Sequence, residues 1–377
     1  MQNNFTKSSS LNNEIIGIED SKRQLNKIRF TKDTPLASTS QGKIQNQIHS
    51  AQDAFFRDGL LIDRNTTPRL AEIVTEVCDL LNLPRDTVSC FVIASSEIQA
   101  SCLSISRDKC IINFSSALIN LLEEDEFYFV IGHELGHFLF DHSSLKTKEN
   151  LEFFKLRRAQ EISVDRVGLI ACKSINHAAR AIMKTASGLG STHIKFDINQ
   201  YISQASMISH VTKGENLYST HPSMLLRCRA LLWFSMIDNY RKYDTEETLK
   251  DLKVINERIE KELEKYVDGE FKSIKENLKS ELSLWLAVKH VSNDGKFDEI
   301  EQILFSELFG KSTLNKVKKF LGSLKQSNFK EEIDMKIQSA KNKLEAEMPI
   351  SFKREYKIIQ DEIETHFKNH KKKEDKL

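Results

Sequence analysis

The sequence predicts an α+β fold in which helices predominate and a few short strands form one small antiparallel sheet. Apolar residues recur at helical spacing over much of the chain, beginning with the segment from Pro68 to Leu83. Three short runs suited to strands then follow, at Val88 to Ala94, Ala100 to Ile105 and Cys110 to Phe114. The last two runs flank a turn at 107–109, which favours an antiparallel pair.

The composition divides the chain into three predicted parts. Residues 1–55 are rich in Ser, Asn, Gln and Thr, which indicates a polar, loosely ordered N-terminal arm with at most one short helix. Residues 56–240 carry the apolar helices and all three predicted strands. From about Asn239, Lys and Glu dominate while helical periodicity continues, so residues 241–377 are predicted to form an all-α C-terminal domain.

The most informative stretch contains His133, Glu134 and His137. The two histidines are four residues apart, so on a helix they lie on one face and can hold one zinc ion. Glu134 points partly aside and can act on a water molecule without coordinating the metal, as the general base of a metallopeptidase must. The alternative is a chance match on a buried helix.

Two glycines lie inside the same predicted helix. Gly132 and Gly136 each cost about 1 kcal/mol of helix stability relative to alanine. This cost predicts a compensating close contact, and we expect a sheet or the substrate to approach the helix at these positions.

A catalytic zinc ion needs a third protein ligand and an open position. Phe140 and Ser143 stand where an extended three-histidine motif would place its glycine and its last histidine, so that class is excluded. His142 lies off the metal face and is interpreted as a histidine at the helix end.

A second acidic pair offers the missing ligand. Glu161 and Asp165 are again four residues apart on an apolar helix. Glu161 is predicted to bind the metal, and Asp165 to accept a hydrogen bond from a ligand histidine. The alternative is a solvated acid pair close to the arginines of this segment, Arg157, Arg158 and Arg166.

These motifs together resemble the CAAX-prenyl-protease/HtpX-type zinc metallopeptidase family. The similar blocks are His133-Glu134-x-x-His137, Glu161-x-x-x-Asp165-Arg166 and Ser219-Thr220-His221-Pro222 with Arg227 six residues after the histidine. The resemblance covers roughly residues 60–235 and implies a zincin-like α+β domain and zinc endopeptidase activity of the gluzincin type.

The resemblance also implies roles for single residues. His133, His137 and Glu161 become the ligands of one Zn²⁺ per chain, and Glu134 becomes the general base. His221 is placed near the metal, either as a catalytic hydrogen-bond donor to the oxyanion or as a latch on the open zinc position. Asp165 and Arg227 are expected around the ligands, with Arg227 pairing with an acid near the site.

Charge and hydropathy narrow the function classes. The net charge of +1 gives no electrostatic basis for binding nucleic acid, and no apolar run is long enough to span a membrane. Residues 1–13 lack the pattern of a secretory signal, and the six cysteines contain no Cys-x-x-Cys pair. We therefore expect a cytoplasmic protein with reduced thiols that acts on a protein or peptide substrate.

The C-terminal domain leaves a rival function open. Residues 280–340 weakly resemble the TerB-like helical module, through the Asp294-Gly295 turn between two predicted helices. A non-catalytic, zinc-stabilised scaffold or regulatory protein could act through this domain by binding a protein partner. The sequence favours the zinc metalloendopeptidase, because the base Glu134 accompanies all three ligands.

Overall fold

The computed structural model describes residues 18–33, 55–142, 150–194, 197–203, 221–237, 246–263, 269–292, 297–323 and 329–374. These residues divide into two compact units. The first contains the described residues from 18 to 263 apart from 150–154, and the second contains 150–154 and the described residues from 269 onward.

Helices of the first unit surround one four-stranded sheet. In chain order its elements are α1 (residues 18–25), a 3₁₀ turn (Asn26–Ile28), β1 (Leu60–Leu61), α2 (Pro68–Leu80), β2 (Val88–Ile93), β3 (Ala100–Ser104), β4 (Cys110–Ser115), α3 (Ser116–Leu121), α4 (Glu124–Leu139), α5 (Leu151–Cys172, from residue 155), α6 (Ile175–Ser187), α7 (Ile198–Ser203), α8 (Met224–Ser235) and α9 (Glu246–Leu263). The three predicted strands lie within one residue of their predicted bounds.

The sheet is mixed, so the prediction of an antiparallel sheet was wrong. The strand order is β1-β2-β4-β3, and β2 pairs with β4 in parallel while β3 pairs with β4 antiparallel. The connection at residues 94–99 does not place β3 beside β2. Strand β4 pairs with β2 instead, and β3 lies on the far side of β4. Strand β3 consequently lies at the edge of the described sheet, beside helix α4.

The start of α4 is fixed by a buried carboxylate. Glu126 is fully buried, and its Oε2 accepts hydrogen bonds from the Glu123 backbone N–H at 2.9 Å and from Lys184 Nζ at 2.6 Å. Arg180 approaches Glu126 Oε1 at 3.1 Å. Both cations lie on α6, so the first turn of α4 is tied to that helix by two ion pairs.

The close contact predicted for the glycines of α4 is made by helix α5, whereas we expected a sheet or substrate. A Cβ built on Gly132 would lie 2.5 Å from the Ala171 Cβ and 3.1 Å from the Gly168 Cα. A Cβ built on Gly136 would lie 3.0 Å from Val164 side-chain atoms. The two helices therefore run antiparallel, with backbones closer than an alanine pair would allow.

Part of the predicted N-terminal arm belongs to the folded core. Ile18, Leu25, Ile28 and Phe30 are each at most 2% exposed. Ile18, Leu25 and Ile28 join the main core of the first unit, while Phe30 packs in a cluster with α5, α8 and α9. Residues 18–33 therefore depart from the predicted loose arm, because their four apolar side chains are buried.

The division into units falls after α9, whereas the sequence analysis begins the C-terminal domain at residue 241. Ile259 and Leu263 of α9 pack with Phe30 and Trp233 of the first unit. The second unit contains helices α10 (Gly269–Val291), α11 (Glu299–Ser323), α12 (Phe329–Glu347) and α13 (Phe352–Glu374), with a core of its own. Asp294 and Gly295 lie outside the described residues, so the TerB-like resemblance stays a prediction.

Gly132→Ala tests the contact between α4 and α5. We expect it to lower the free energy of unfolding by about 1–3 kcal/mol, because the added methyl overpacks the interface by more than the gain in helix propensity. The same change at Gly322, where an added Cβ meets nothing within 4 Å, is the control and should be neutral or stabilising. Urea unfolding of both variants measures this; equal stability of the two would contradict the packing argument.

Candidate metal centre

Three side chains converge between helices α4 and α5. His133 and His137 lie on α4 and Glu161 on α5, and one ligand atom from each lies within 4.8 Å of the other two. His133 Nε2 is 3.5 Å from Glu161 Oε2, and His137 Nε2 is 3.5 Å from Glu161 Oε1. The structure thus brings together the three residues that the sequence analysis selects as ligands.

This geometry fits a tetrahedral zinc site. Two atoms that each lie about 2.1 Å from a tetrahedral zinc ion are roughly 3.4 Å apart, close to the two observed separations. Within the described part of the chain, no donor forms a hydrogen bond with the buried Oε2 of Glu161. A buried carboxylate oxygen facing imidazole nitrogens in this way is suited to binding a cation.

Asp165 lies behind His133 and holds it in place. Asp165 Oδ1 is 3.0 Å from His133 Nδ1, which leaves Nε2 of the same ring facing Glu161. Arg227 donates to both oxygens of Asp165, at 2.8 Å from Nε and 2.6 Å from Nη2. The sequence analysis left open the acid with which Arg227 pairs; its hydrogen bonds go to Asp165, and its Nη2 also lies 3.6 Å from Glu161 Oε2.

Charges and hydrogen bonds keep the two buried carboxylates ionised. Burial alone raises the pKa of Glu161, but the hydrogen-bonding interaction with His137 and the charges of His133 and Arg227 outweigh it and lower the pKa well below the usual value. For Asp165, burial likewise raises the pKa, and the charge and hydrogen bonds of Arg227 more than offset it. The site therefore presents two carboxylates to its histidines near neutral pH.

Glu134 follows the first histidine and is 8% exposed. Burial raises the pKa of its carboxyl, opposed by the charges of His133 and His137. A raised pKa makes a carboxylate a stronger base, which suits a proton acceptor at this position.

His221 lies at the edge of the same site. Its Nε2 is 3.6 Å from Glu161 Oε2, the oxygen that also faces His133. The predicted motif around His221 is described by the structure at Pro222 and Arg227. Its first two residues, Ser219 and Thr220, lie outside the described residues. The imidazole thus lies next to the group formed by His133, His137 and Glu161.

Sequence reasoning missed a second set of contacts, on the side of His137. His142 Nδ1 lies 3.1 Å from His137 Nδ1, and His142 Nε2 lies 3.0 Å from Asp33 Oδ2. Burial lowers the pKa of His142 to about 4, so this imidazole is neutral. The available signals were the five-residue spacing of His137 and His142 and the Arg29–Asp33 pair beside Phe30.

Comparisons with known proteins agree with this geometry. Residues 64–155 match the model of Peptidase family M48. The M48 match contains His133, Glu134 and His137 and ends before Glu161. A curated relative, "Plastoglobule-localized metallopeptidase 48, chloroplastic" from Arabidopsis thaliana, is 23% identical over 202 residues. The family matched is one of peptidases, and the relative is named a metallopeptidase.

The M48 comparison is partial. The alignment with the Arabidopsis thaliana protein covers 46% of this chain and 58% of the relative's length. No solved structure gives a significant match. The finer resemblance to the CAAX-prenyl-protease/HtpX type stays a prediction.

The structure bears on localisation in one respect. No helix among the described residues is both long and apolar enough to cross a membrane. The printed name of the relative places that protein at plastoglobules of the chloroplast. The cytoplasmic location expected for this chain stays a prediction.

Asp165→Asn tests the buried ion pair behind His133. We expect it to lower the free energy of unfolding by about 3 kcal/mol, because it removes the carboxylate that accepts both hydrogen bonds of the buried Arg227 guanidinium. Asp79→Asn is the control, since its pair with Arg85 is exposed and such pairs contribute at most about 1 kcal/mol. Urea unfolding without added metal compares the two, and equal losses would contradict the assignment.

Proposed function

We propose that this chain is a zinc-dependent metalloendopeptidase. The observation that carries the proposal is the convergence of His133, His137 and Glu161, with the buried Glu134 next to the first ligand. The Peptidase family M48 match over residues 64–155 supports it. The proposed substrate is a protein or peptide.

The proposed ligands are the two imidazole Nε2 atoms of α4 and the carboxylate of Glu161. When bound there, zinc supplies Lewis acidity, which lowers the pKa of water toward about 7 and polarises the scissile carbonyl. Asp165 accepts the Nδ1–H of His133 and so keeps its Nε2 lone pair directed at the site. Arg227 holds Asp165 ionised and oriented through two hydrogen bonds.

Glu134 is the proposed general base. Its carboxylate takes a proton from the attacking water and later delivers it to the leaving amine. Burial raises the pKa of Glu134, which strengthens its carboxylate as the proton acceptor in the first step.

Strand β3 is the proposed support for the substrate backbone. It lies at the edge of the described sheet and beside helix α4, which carries two ligands. An extended peptide added to this edge as a further strand would make main-chain hydrogen bonds near the metal centre. Such binding is tolerant of sequence, so side-chain pockets would set the cleavage preference.

Glu134→Gln tests the peptidase proposal. It should leave zinc binding intact and reduce turnover of a test protein by roughly 10²–10⁴-fold or more, because the amide cannot accept the proton. Glu124→Gln, on the exposed first turn of the same helix, is the matched control and should cleave normally. Zinc content and single-substrate proteolysis are measured together. Unchanged cleavage by Glu134→Gln would refute the peptidase and favour the non-catalytic scaffold.

His221→Ala distinguishes two proposed roles. As a hydrogen-bond donor to the oxyanion, His221 contributes about 2.7–4 kcal/mol to the transition state, so its loss lowers kcat by 10²–10³-fold with zinc retained. If His221 is instead a latch on the open zinc position, its loss raises basal proteolysis. We favour the donor, and the exposed His193, changed to alanine, is the control. Unchanged kinetics would remove His221 from the catalytic machinery.

A further inference from the structure

A chain of hydrogen-bonding contacts runs from the ligand His137 to the N-terminal segment. His137 Nδ1 lies 3.1 Å from His142 Nδ1, and His142 Nε2 lies 3.0 Å from Asp33 Oδ2. Arg29 Nη2 donates to Asp33 Oδ1 at 3.0 Å. The side chains of His142 and Asp33 are both 0% exposed, so water cannot replace these partners.

One arrangement of protons satisfies every contact in this chain. A neutral imidazole has one N–H donor and one acceptor nitrogen. Asp33 is a carboxylate and only accepts, so His142 must donate its Nε2–H and accept at Nδ1. His137 must then donate its Nδ1–H, which leaves the lone pair on His137 Nε2, the nitrogen 3.5 Å from Glu161 Oε1.

We propose that His142 and Asp33 are positioning residues for the ligand His137, and that residues 18–33 are therefore a working part of the metal centre. The proposal deepens the proposed function and rests on it for the identity of the metal. Asp33 and Arg29 lie outside the matched family segment, since they precede residue 64, whereas His142 lies within it.

The other ligand histidine has the same support in a shorter form. His133 Nδ1 contacts the carboxylate of Asp165 directly, and that carboxylate is held by Arg227. His137 reaches the carboxylate of Asp33 through one intervening imidazole, and that carboxylate is held by Arg29. Each of the two ligand histidines is thus connected to a buried carboxylate that is paired with an arginine. Such an arrangement fixes the tautomer and the orientation of a metal-binding histidine.

The segment that carries Asp33 is fastened to both metal helices. Lys22 Nζ donates to Asp141 Oδ1 at 2.8 Å, next to His142 at the end of α4. The Phe30 backbone N–H donates to Ser163 Oγ at 3.0 Å, and Arg166 Nη1 donates to the Ile28 carbonyl at 2.7 Å. Because Ser163 and Arg166 lie on α5 beside Glu161 and Asp165, the position of Asp33 is fixed relative to the ligands.

Asp33→Asn tests the proposal in the full-length chain, with Glu134→Gln as the background so that self-cleavage does not interfere. The amide can present either an N–H group or an oxygen to His142. The tautomer of His142, and through it that of His137, is therefore no longer fixed. Zinc affinity, measured by competition with a chelator, should fall by about 10–100-fold. Asp79→Asn is the control, because Asp79 is exposed on α2 and its pair with Arg85 takes no part in holding residues 18–33; it should bind zinc normally.

A spectroscopic measurement separates positioning from a general loss of stability. In zinc-loaded protein with ¹⁵N-labelled histidine, the Nδ1–H of His137 should show a coupling through its hydrogen bond to His142 Nδ1. The coupling should persist in Asp79→Asn and disappear in Asp33→Asn. If Asp33→Asn does not fold, the coupling in the Glu134→Gln protein, which keeps Asp33, tests the proposed contact between His137 and His142.

The proposal is overturned if that coupling is absent from the folded Glu134→Gln background, or if folded Asp33→Asn binds zinc as tightly as Asp79→Asn. Its failure is distinguishable from failure of the peptidase proposal. Proteolysis that survives Glu134→Gln refutes the peptidase, whereas zinc affinity and the coupling report on His142 and Asp33 whether or not peptide bonds are cleaved.

Discussion

The contact between the backbones of α4 and α5 is the constraint on which the metal centre depends. Gly132 meets Gly168 and Ala171 with no room for an added Cβ, and Gly136 meets Val164 so closely that an added Cβ would force Val164 to shift. The ligands lie on the adjoining faces of these antiparallel helices, so the helix separation determines how far Glu161 lies from His133 and His137. Wider packing with ordinary side chains would separate the ligand atoms beyond the span of one ion.

The convergence of the proposed ligands was predictable in part, because each half of the set is local. His133 with His137, and Glu161 with Asp165, are four residues apart on a single helix, and helical geometry alone puts each pair on one face. The partnership of Asp165 with His133 followed from chemistry, since a metal-binding histidine needs an acceptor for its second nitrogen. Helix α5 as the neighbour of the glycines did not follow, because nothing local indicates which element packs there.

The remaining errors concern contacts between distant parts of the sequence. The parallel pairing of β2 with β4 depends on where a six-residue connection crosses the sheet, which strand patterns do not encode. The segment around Phe30 was assigned to a loosely ordered arm because the polar residues on either side of it dominate the average composition of residues 1–55. Asp33 and His142 are 109 residues apart, and a single sequence gives no signal that would pair them.

The contacts that support the two histidines extend across the first unit. They link the proposed zinc binding to the stability of that unit. The anchors behind the two histidines lie at Asp33 and Arg227, on either side of the helices that carry the ligands. A ligand that binds only the folded state stabilises it by about 2.7 kcal/mol at a free concentration 100 times its Kd. If the ion binds as proposed, then by reciprocity whatever loosens residues 18–33 weakens metal binding, and the ion in turn protects that segment from hydrogen exchange and from proteolysis.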